Sequence, residues 1–202
     1  MNINDQLSDW WNESLQGNID SFGCIHCTLH ASLYHYLIKI LKDEDTCEDV
    51  LQDMFVKLWE RKERLGPISF VKVYFFRCAR SMAINHLKNK HNQNVPLAED
   101  MDVDVVFSHE EILVKKEHNL QMSHMLTTAL NDLPKRQREM IFLKYFDGWK
   151  YEEIAQVTGI NYQSVVNHVH RGILQLRTNM VDNRFSRAGC MAFLFIIFTK
   201  LI

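Results

Sequence analysis

The sequence predicts an all-α fold: two small helical domains joined by an acidic linker, with a helix-turn-helix ending the second domain. Glycine and proline are scarce, with 7 Gly and 3 Pro in 202 residues. An all-β domain needs such residues at each tight turn, so a β-sandwich is disfavoured. Apolar residues recur at helical spacing on both sides of residues 92–108, which are polar and then acidic. We therefore divide the chain into domains 10–91 and 109–180, a linker 92–108 and a tail 181–202.

The composition is that of a globular protein, with 47% hydrophobic and 24% charged residues. The formal net charge of −2 is unevenly spread: −1 over residues 1–95, −5 over 96–118 and +4 over 119–202. This asymmetry favours an anionic partner for the last third of the chain. An odd number of cysteines (5) and the lack of a basic-then-apolar leader predict free thiols in the cytoplasm.

Three helices are predicted in the first domain, over residues 31–41, 47–65 and 69–90. Gly66-Pro67 ends the second of them, because proline disfavours helical geometry in the residue before it. On a helical wheel this second helix has an apolar half and a polar half. The apolar half contains Val50, Leu51, Met54, Phe55, Leu58 and Trp59. The other half contains Asp49, Gln52, Asp53, Val56 and Glu60.

The second domain is predicted to hold four helices. The first covers residues 110–130, and the next begins with Pro134 in its first turn and ends at residues 147–148. A short helix, 151–158, is closed by Gly159, and Asn161 caps a longer helix that runs to about residue 180. In the tail, residues 188–202 are almost wholly apolar but too short to span a bilayer, which takes about 20 residues. We expect the tail to pack on a domain or a partner, with membrane contact as an alternative.

Residues 151–177 have the spacing of a helix-turn-helix. Ala155 is small where two helices cross, Gly159 lies in the turn, and Val165 anchors the second helix. Five polar side chains share the face of the second helix opposite its apolar residues, and their groups can donate to phosphates and base edges in a major groove. They are Ser164, Asn167, His168, Arg171 and Gln175.

Residues 130–177 resemble the C-terminal DNA-binding domain of sigma-70 family factors of the extracytoplasmic-function type. The matching residues are Leu133-Pro134, Arg138, Phe142, Tyr145, Gly148, Glu153-Ile154-Ala155, Gly159, Val165, Arg171 and Leu176-Arg177. The first domain resembles the N-terminal domain of the same family. There the matches are Glu48-Asp49, Gln52-Asp53, Phe55 and Leu58-Trp59-Glu60, followed by the helix from Tyr74-Phe75 to Lys88. Two motifs in the family's order are more specific than either one alone.

The resemblance implies a promoter-specificity factor that binds core RNA polymerase and promoter DNA and answers to an anti-sigma factor. It implies no catalytic chemistry, cofactor, metal or small-molecule substrate. The surface against the polymerase clamp would be Glu48, Asp49, Gln52 and Asp53. Contacts to the melted −10 element would come from Arg77, Arg80, Ser81, Asn85 and Lys88. Contacts to the −35 element would come from the five polar side chains of the 161–180 helix.

The sequence also departs from the family pattern. Ser81, Asn85, Val166 and His168 stand where the family usually has other residues, and the last two make the −35 face less cationic. We therefore expect weak intrinsic DNA affinity, helped by cations that hold phosphates from neighbouring elements. These cations are Lys135, Arg136, Arg138, Lys144 and Lys150. The acidic linker, with Glu99, Asp100, Asp102 and Asp104, is either a nucleic-acid mimic or a solvated spacer.

Two other functions remain open on the sequence alone. One is a protein-protein adaptor with a sigma-like fold that never reads promoters, favoured by the reduced basic character of the 161–171 segment. The other is a thiol or zinc enzyme built on Cys24 and Cys27 with His26 and His30 nearby. The sequence contains no HExxH, GxSxG or Walker pattern, so an enzyme would depend on that cluster alone.

Overall fold

The computed structural model describes residues 3–90, 102–108, 112 and 120–182, and within these ranges it contains helices and no β-strand. The prediction of an all-α fold is confirmed. The chain forms two compact units: the first contains helices α1 to α4, and the second contains residues 102–155 and 160–182. The helices are α1 Ile3–Leu15, α2 Ile19–Leu41, α3 Glu44–Leu65, α4 Val71–Lys90, α5 Leu120–Asn131, α6 Lys135–Ile141, α7 Tyr151–Thr158 and α8 Tyr162–Asp182, with a π-helical turn at Phe142–Phe146.

The first unit begins earlier than the sequence suggested. Helix α1 was not predicted, and the proposed domain start at residue 10 falls inside it. Helix α2 begins at Ile19 rather than at residue 31, because the Asn18 carboxamide caps it by accepting the N–H groups of Asp20 (3.0 Å) and Ser21 (3.2 Å). The turn before this cap is made by Gly17 at φ +91°, a conformation that other residues rarely adopt.

One aromatic ring from each of the four helices meets in the core of the first unit. Trp11 of α1 lies edge-on to Phe75 of α4, with ring centroids 5.9 Å apart. Phe22 of α2 lies edge-on to Phe55 of α3 at 6.1 Å, and Phe55 is 5.7 Å from Phe75. The Trp11 indole N–H also donates to the carbonyl of Gly66 at 2.9 Å, which ties α1 to the loop after α3. Aromatic pairs of this kind contribute about 0.5–1.5 kcal/mol each beyond the area they bury.

Helix α3 agrees with the sequence analysis. Asp43 caps its start by accepting the Thr46 N–H at 2.9 Å, and Gly66, at φ +67°, ends it as predicted. Both predicted faces of α3 are confirmed: five residues of the apolar half are buried and Trp59 is half-buried, whereas the polar half is exposed. Helix α4 begins at Val71, two residues later than predicted. Phe70, the residue just before its start, is 55% exposed.

The second unit is built around α6 and α8, which approach each other very closely at Gly172. A Cβ atom added there would lie 2.6 Å from Cδ1 of Ile141 on α6. The predicted anchor Val165 and the apolar residues Val169 and Leu176 of α8 are buried, with at most 1% of their surface exposed. Residues 162–182 therefore form one continuous helix whose inner face is fixed against α6.

The segment 102–108, predicted as part of the linker, is packed onto the second unit; we call it the strap. Val103, Val105 and Phe107 are at most 2% exposed, and burial alternates along the strap as in an extended chain. The Asn131 carboxamide pairs with the Phe107 backbone: its oxygen accepts the N–H at 2.9 Å, and its nitrogen donates to the carbonyl at 3.0 Å. The Phe107 ring lies 4.9 Å from that of Phe146. The linker assignment is thus wrong for these residues, because every second one is apolar and has a groove to fill.

Some predictions fall on parts of the chain outside the described residues. These are the rest of the linker, most of the first half of the 110–130 helix, and the apolar tail with Cys190. Helix α5 is described from Leu120, so the predicted helix is observed in its second half.

Candidate functional site

The outer face of α3 carries an acidic patch. All four residues predicted to face polymerase, Glu48, Asp49, Gln52 and Asp53, are exposed there. Two of the carboxylates have partners within the first unit. Asp53 pairs with Lys57 at 2.6 Å, and Glu48 lies 3.5 Å from Nε2 of His30 on α2. The structure therefore brings the four predicted side chains together on one surface.

A cleft of about 340 Å³ lies beside the acidic patch, between α2 and α3; its lining is apolar at Leu51, Phe55 and Val56 and polar at His26, His30, Glu48 and Gln52. His26 and Phe55 line it edge-on to each other, with ring centroids 4.5 Å apart, and Val56 is 49% exposed at its rim. Burial lowers the pKa of His26, the nearby His30 lowers it further, and Glu48 acts in the opposite sense. The patch thus combines acidic groups with the exposed apolar side chain of Val56 and a partly apolar cleft, which suits burial against another protein.

On α4, the predicted −10 residues are unequally accessible. Arg77 and Ser81 are exposed and Asn85 is half-buried, but Arg80 and Lys88 are only 4% and 7% exposed. Periodicity places all five on the helix without predicting which long basic side chains fold back onto the protein. Arg77, Ser81 and Asn85 are the members of the set that reach the surface.

A second cavity, also of about 340 Å³, opens between α3 and α4 next to these residues. Its floor is apolar, formed by Met54, Leu58, Leu65 and Met82. Its polar lining comes from Lys57, Arg61, Tyr74, Cys78 and Ser81. Lys57 and Arg61 were missed by the sequence analysis; they are one helical turn apart on α3, and that spacing was the available signal.

The phenol of Tyr74 belongs to this cavity. Burial raises its pKa to about 12, and the neighbouring, hydrogen-bonded Cys78 acts in the same direction. The positive charges of Arg77 and Arg61 act against that shift, which places both guanidinium groups near the ring. The cavity is thus an apolar floor with an aromatic wall and a cationic rim.

Helix α8 starts as predicted. The Asn161 side chain accepts the N–H of Ser164 at 2.8 Å and so caps the helix. Of the predicted −35 set, Asn167 and Arg171 are exposed, whereas Ser164, His168 and Gln175 are half-buried. The exposed face of α8 is therefore rotated away from the predicted one.

Other polar side chains on that exposed face were missed. Gln163 is exposed and its amide donates to the Asn167 carboxamide at 3.3 Å, and His170 is exposed on the same side of the helix. The predicted face was centred on Ser164, and the observed exposed face is displaced from it by about one residue. The apolar Leu174, 46% exposed, lies on this face, and Arg177 and Thr178 are exposed one turn beyond it.

His168 lies at the edge of the exposed face of α8, in a cationic neighbourhood. Burial is the main cause of its lowered pKa, and the charges of Arg136 and Arg171 lower it further. Asp102 of the strap opposes them. The lowered pKa favours the neutral imidazole, in which only one ring nitrogen can donate a hydrogen bond.

The thiol or zinc centre proposed as an alternative has no geometric support in the described part of the chain. No group of three or more His, Cys, Asp and Glu side chains is placed there to hold a metal ion. Cys24 and Cys27 are exposed free thiols, and burial raises the pKa of Cys47 to about 11. A thiol with so high a pKa is a poor nucleophile at neutral pH.

Among the residues that the structure describes, no helix combines the length and the apolar character that spanning a bilayer requires.

Comparisons with known proteins match both halves of the chain. The family described as Sigma-70 region 2 matches residues 28–93, and that described as Sigma-70, region 4 matches residues 123–176. The chain is 24% identical over 163 residues to the ECF RNA polymerase sigma factor SigX of Bacillus subtilis, covering 80% of this chain and 84% of the relative. It is 26% identical over 154 residues to the ECF RNA polymerase sigma factor SigL of Mycobacterium tuberculosis, covering 75% and 84%.

Two solved structures share the fold. CnrH, solved in complex with the cytosolic domain of CnrY, is 18% identical with a TM-score of 0.61, covering 89% of this chain and 99% of that one. The sigma factor RpoE of Bartonella quintana, solved with the anti-sigma factor NepR, is 23% identical with a TM-score of 0.57, covering 81% and 98%.

Proposed function

The chain belongs to the extracytoplasmic-function type of the sigma-70 family of RNA polymerase sigma factors. From this we propose which of its surfaces binds polymerase and which surfaces bind DNA. As such a factor it directs promoter-specific transcription initiation and is not an enzyme. The proposal rests on one observation: α3 carries an acidic patch with apolar surface beside it, whereas α4 and α8 carry cationic and polar surfaces.

We propose that the acidic patch binds core RNA polymerase. Its carboxylates suit a basic partner, steering association and fixing register. Val56 and the adjoining cleft supply apolar area that is buried on contact, and such area stabilises a complex by about 25 cal/mol per Å². In this complex the apolar area would be flanked by Glu48, Asp49, Gln52 and Asp53, with His26 and His30 at one edge.

The cavity between α3 and α4 is proposed to accept an unpaired base of the −10 element. A base buries its faces against apolar and aromatic groups, which the floor and Tyr74 provide. Arg61 and Arg77 lie beside Tyr74, where they would hold the flanking phosphates. Ser81 and Asn85 offer hydrogen bonds to base edges. Arg80 and Lys88 are buried and act in this proposal only as support for α4.

Helix α8 is proposed to enter the major groove of the −35 element. Gln163, Asn167, His170 and Arg171 share its exposed face and carry the amide, imidazole and guanidinium groups that read base edges. Ser164, His168 and Gln175, at the edge of this face, are left with supporting contacts to the DNA backbone.

Partner and location follow from the same assignment. The two structural relatives were each solved with a binding partner, and one of these is an anti-sigma factor. We propose that an anti-sigma factor also regulates this chain, and that it works in the cytoplasm, where core polymerase and promoters are found.

Run-off transcription with purified core polymerase tests the function, and a charge reversal tests the patch. We expect the full chain to give promoter-dependent transcripts. The double variant D49K/D53K should weaken core association at least about tenfold, because it turns an attractive rim repulsive. The measurement is polymerase binding by fluorescence anisotropy at several salt concentrations.

The matched control is D5K/D9K. It places the same charge change one helical turn apart on exposed positions of α1, in the same unit. This control should bind polymerase like the wild type. Equal binding by D49K/D53K and wild type would show that the patch is elsewhere, and a chain that binds polymerase but yields no transcript would support the adaptor function instead.

A further inference from the structure

Two aspartates of the strap form ion pairs with two arginines of α6. The inner pair joins Asp104 Oδ1 to Arg138 Nη2 at 2.7 Å, with the arginine side chain only 11% exposed. The outer pair joins Asp102 to Arg136 nearer the surface, where the two side chains are 47% and 27% exposed. The inner pair, together with the buried Val103, Val105 and Phe107, anchors the strap. The outer pair adds little to that anchoring, since exposed ion pairs are weak.

The outer pair lies beside the DNA-binding face proposed for α8. The charges of Arg136, Arg171 and Asp102 all act on the imidazole of His168. Arg136 is in the first turn of α6, and α6 packs against α8, so the pair between Asp102 and Arg136 lies next to α8. The Asp102 carboxylate therefore sits at a guanidinium that is otherwise well placed to meet a DNA phosphate.

The strap also lowers the positive charge of the part of the chain on which it lies. Residues 119–202 carry a formal charge of +4, and the two aspartates of the strap reduce it to +2. A cationic domain attracts DNA through its phosphates, whatever the base sequence. The docked strap thus weakens this attraction where the arginines are concentrated.

We propose that Asp102 is an internal competitor of DNA phosphate for Arg136, so that the strap lowers the DNA affinity of the free protein. The inference rests on the proposed role of α8 in binding DNA. When the protein binds DNA, a DNA phosphate replaces the Asp102 carboxylate at the Arg136 guanidinium. Only the Asp102 side chain has to turn away, because the rest of the strap is held by its buried residues and by the pair between Asp104 and Arg138.

The test is a double-mutant cycle in the full chain, with wild type, Asp102→Asn, Arg136→Gln and the double variant. Each binds a fluorescein-labelled, mixed-sequence DNA duplex, followed by anisotropy over a range of salt concentrations. We expect Asp102→Asn to tighten binding about two- to fivefold, the range that a surface ion pair can oppose. The slope of log affinity against log salt should steepen by roughly 0.9, as for one added phosphate contact.

In the Arg136→Gln background, the same Asp102→Asn change should give a clearly smaller gain, because only the general loss of a negative charge remains. An equal gain in both backgrounds, or no gain with Arg136 present, would overturn the proposal. Asp102→Glu keeps the charge on a longer side chain and should bind DNA like the wild type; tight binding by this variant would assign the effect to a disturbed strap and also overturn it.

A failure of this proposal can be told from a failure of the proposed function. The duplex has no promoter sequence, so competition at Arg136 is measured without polymerase or promoter recognition. Run-off transcription measures promoter recognition separately. Unchanged duplex binding in the cycle, combined with active transcription, would remove the competitor role and leave the sigma function standing.

Discussion

Asn161 determines where helix α8 begins, because its carboxamide satisfies the otherwise unpaired N–H of Ser164 at 2.8 Å. Replacing it with alanine removes this hydrogen bond. We expect Asn161→Ala to lower the free energy of unfolding of the second unit by about 1 kcal/mol, the usual cost of a lost N-cap. Urea denaturation followed by far-UV circular dichroism measures the change. Asn161→Asp, which keeps an acceptor at the cap, is the control and should remain within about 0.5 kcal/mol of the wild type.

His168 makes the free energy of unfolding depend on pH, and the sign of this dependence follows from the surroundings of its imidazole. Burial, reinforced by Arg136 and Arg171, lowers the folded-state pKa of His168 below the unfolded value of 6.5. The unfolded chain therefore binds the proton more readily, so the contribution of His168 to stability is full above pH 6.5. It is lost as the pH falls from 6.5 through the folded pKa.

We expect NMR titration of the full chain to give His168 a pKa below 6.5. The variant His168→Gln should lose part of the decline in unfolding free energy that the wild type shows on acidification from pH 7. His124, which is exposed on α5, provides the comparison: His124→Gln should keep the decline. A His168 pKa above 6.5 would contradict the environment described here.

At the scale of the elements, we expect alanine substitutions at two helical glycines to change the free energy of unfolding in opposite directions. Around Gly23 in α2, an added Cβ atom would meet nothing within 4 Å, whereas at Gly172 in α8 it would lie 2.6 Å from Cδ1 of Ile141. Alanine is favoured over glycine in a helix by about 1 kcal/mol. Gly23→Ala should therefore raise the unfolding free energy by up to about 1 kcal/mol.

Gly172→Ala should instead lower the unfolding free energy by about 1 kcal/mol, because overpacking between α6 and α8 outweighs the helical gain. Removing the opposing atom gives the control: the double variant Gly172→Ala/Ile141→Val should recover most of the loss. Thermal unfolding of the full chain measures all three. A stabilising Gly172→Ala would mean that the two helices separate readily at this point.

The comparison of sequence with structure is also clearest at the scale of elements. Helix α3 was predicted with its cap region, its end and both faces, because its apolar residues are regular and Gly66-Pro67 stops it. Helix α1 was missed: its hydrophobic signal is a few residues, such as Leu7 and Trp11, among polar ones, and the burial of Trp11 depends on rings from two other helices. Local periodicity cannot reveal such long-range contacts.

The candidate site was predictable in part for similar reasons. The acidic patch was found because exposed carboxylates need no partner to be recognised on a helical wheel. The face of α8 was displaced because periodicity gives an axis of burial, while the exact rotation depends on the close approach at Gly172. The strap was read as a spacer from its charge, although the alternation of Val103, Val105 and Phe107 was visible and predicts an extended segment with one buried face.

At the scale of the whole molecule, the proposed polymerase-binding patch and the proposed −35 face lie on separate units, so their functions should separate by mutation. We expect Arg171→Ala to lower promoter-dependent transcription about tenfold, as for one lost DNA contact of 1–3 kcal/mol, while core polymerase binding stays unchanged. Run-off transcription and polymerase anisotropy measure the two effects. The control Arg177→Ala removes an equal charge from an exposed position six residues further along α8, beyond the side chains proposed to contact the DNA, and should keep wild-type output. Equal loss in both variants would show that output follows total charge rather than the proposed face.

The strap has a consequence for chimeric sigma factors. Exchanging DNA-reading modules between paralogues is done by joining the chains at a connecting segment, and the composition here invites a junction just before residue 109. Such a junction would leave Phe107 behind and uncover its binding groove at Phe146 and Asn131. The recombined protein would expose an apolar groove that is prone to non-specific association. It would also lack the ion pairs of Asp102 with Arg136 and of Asp104 with Arg138. A transplantable module of this chain starts at or before Asp102.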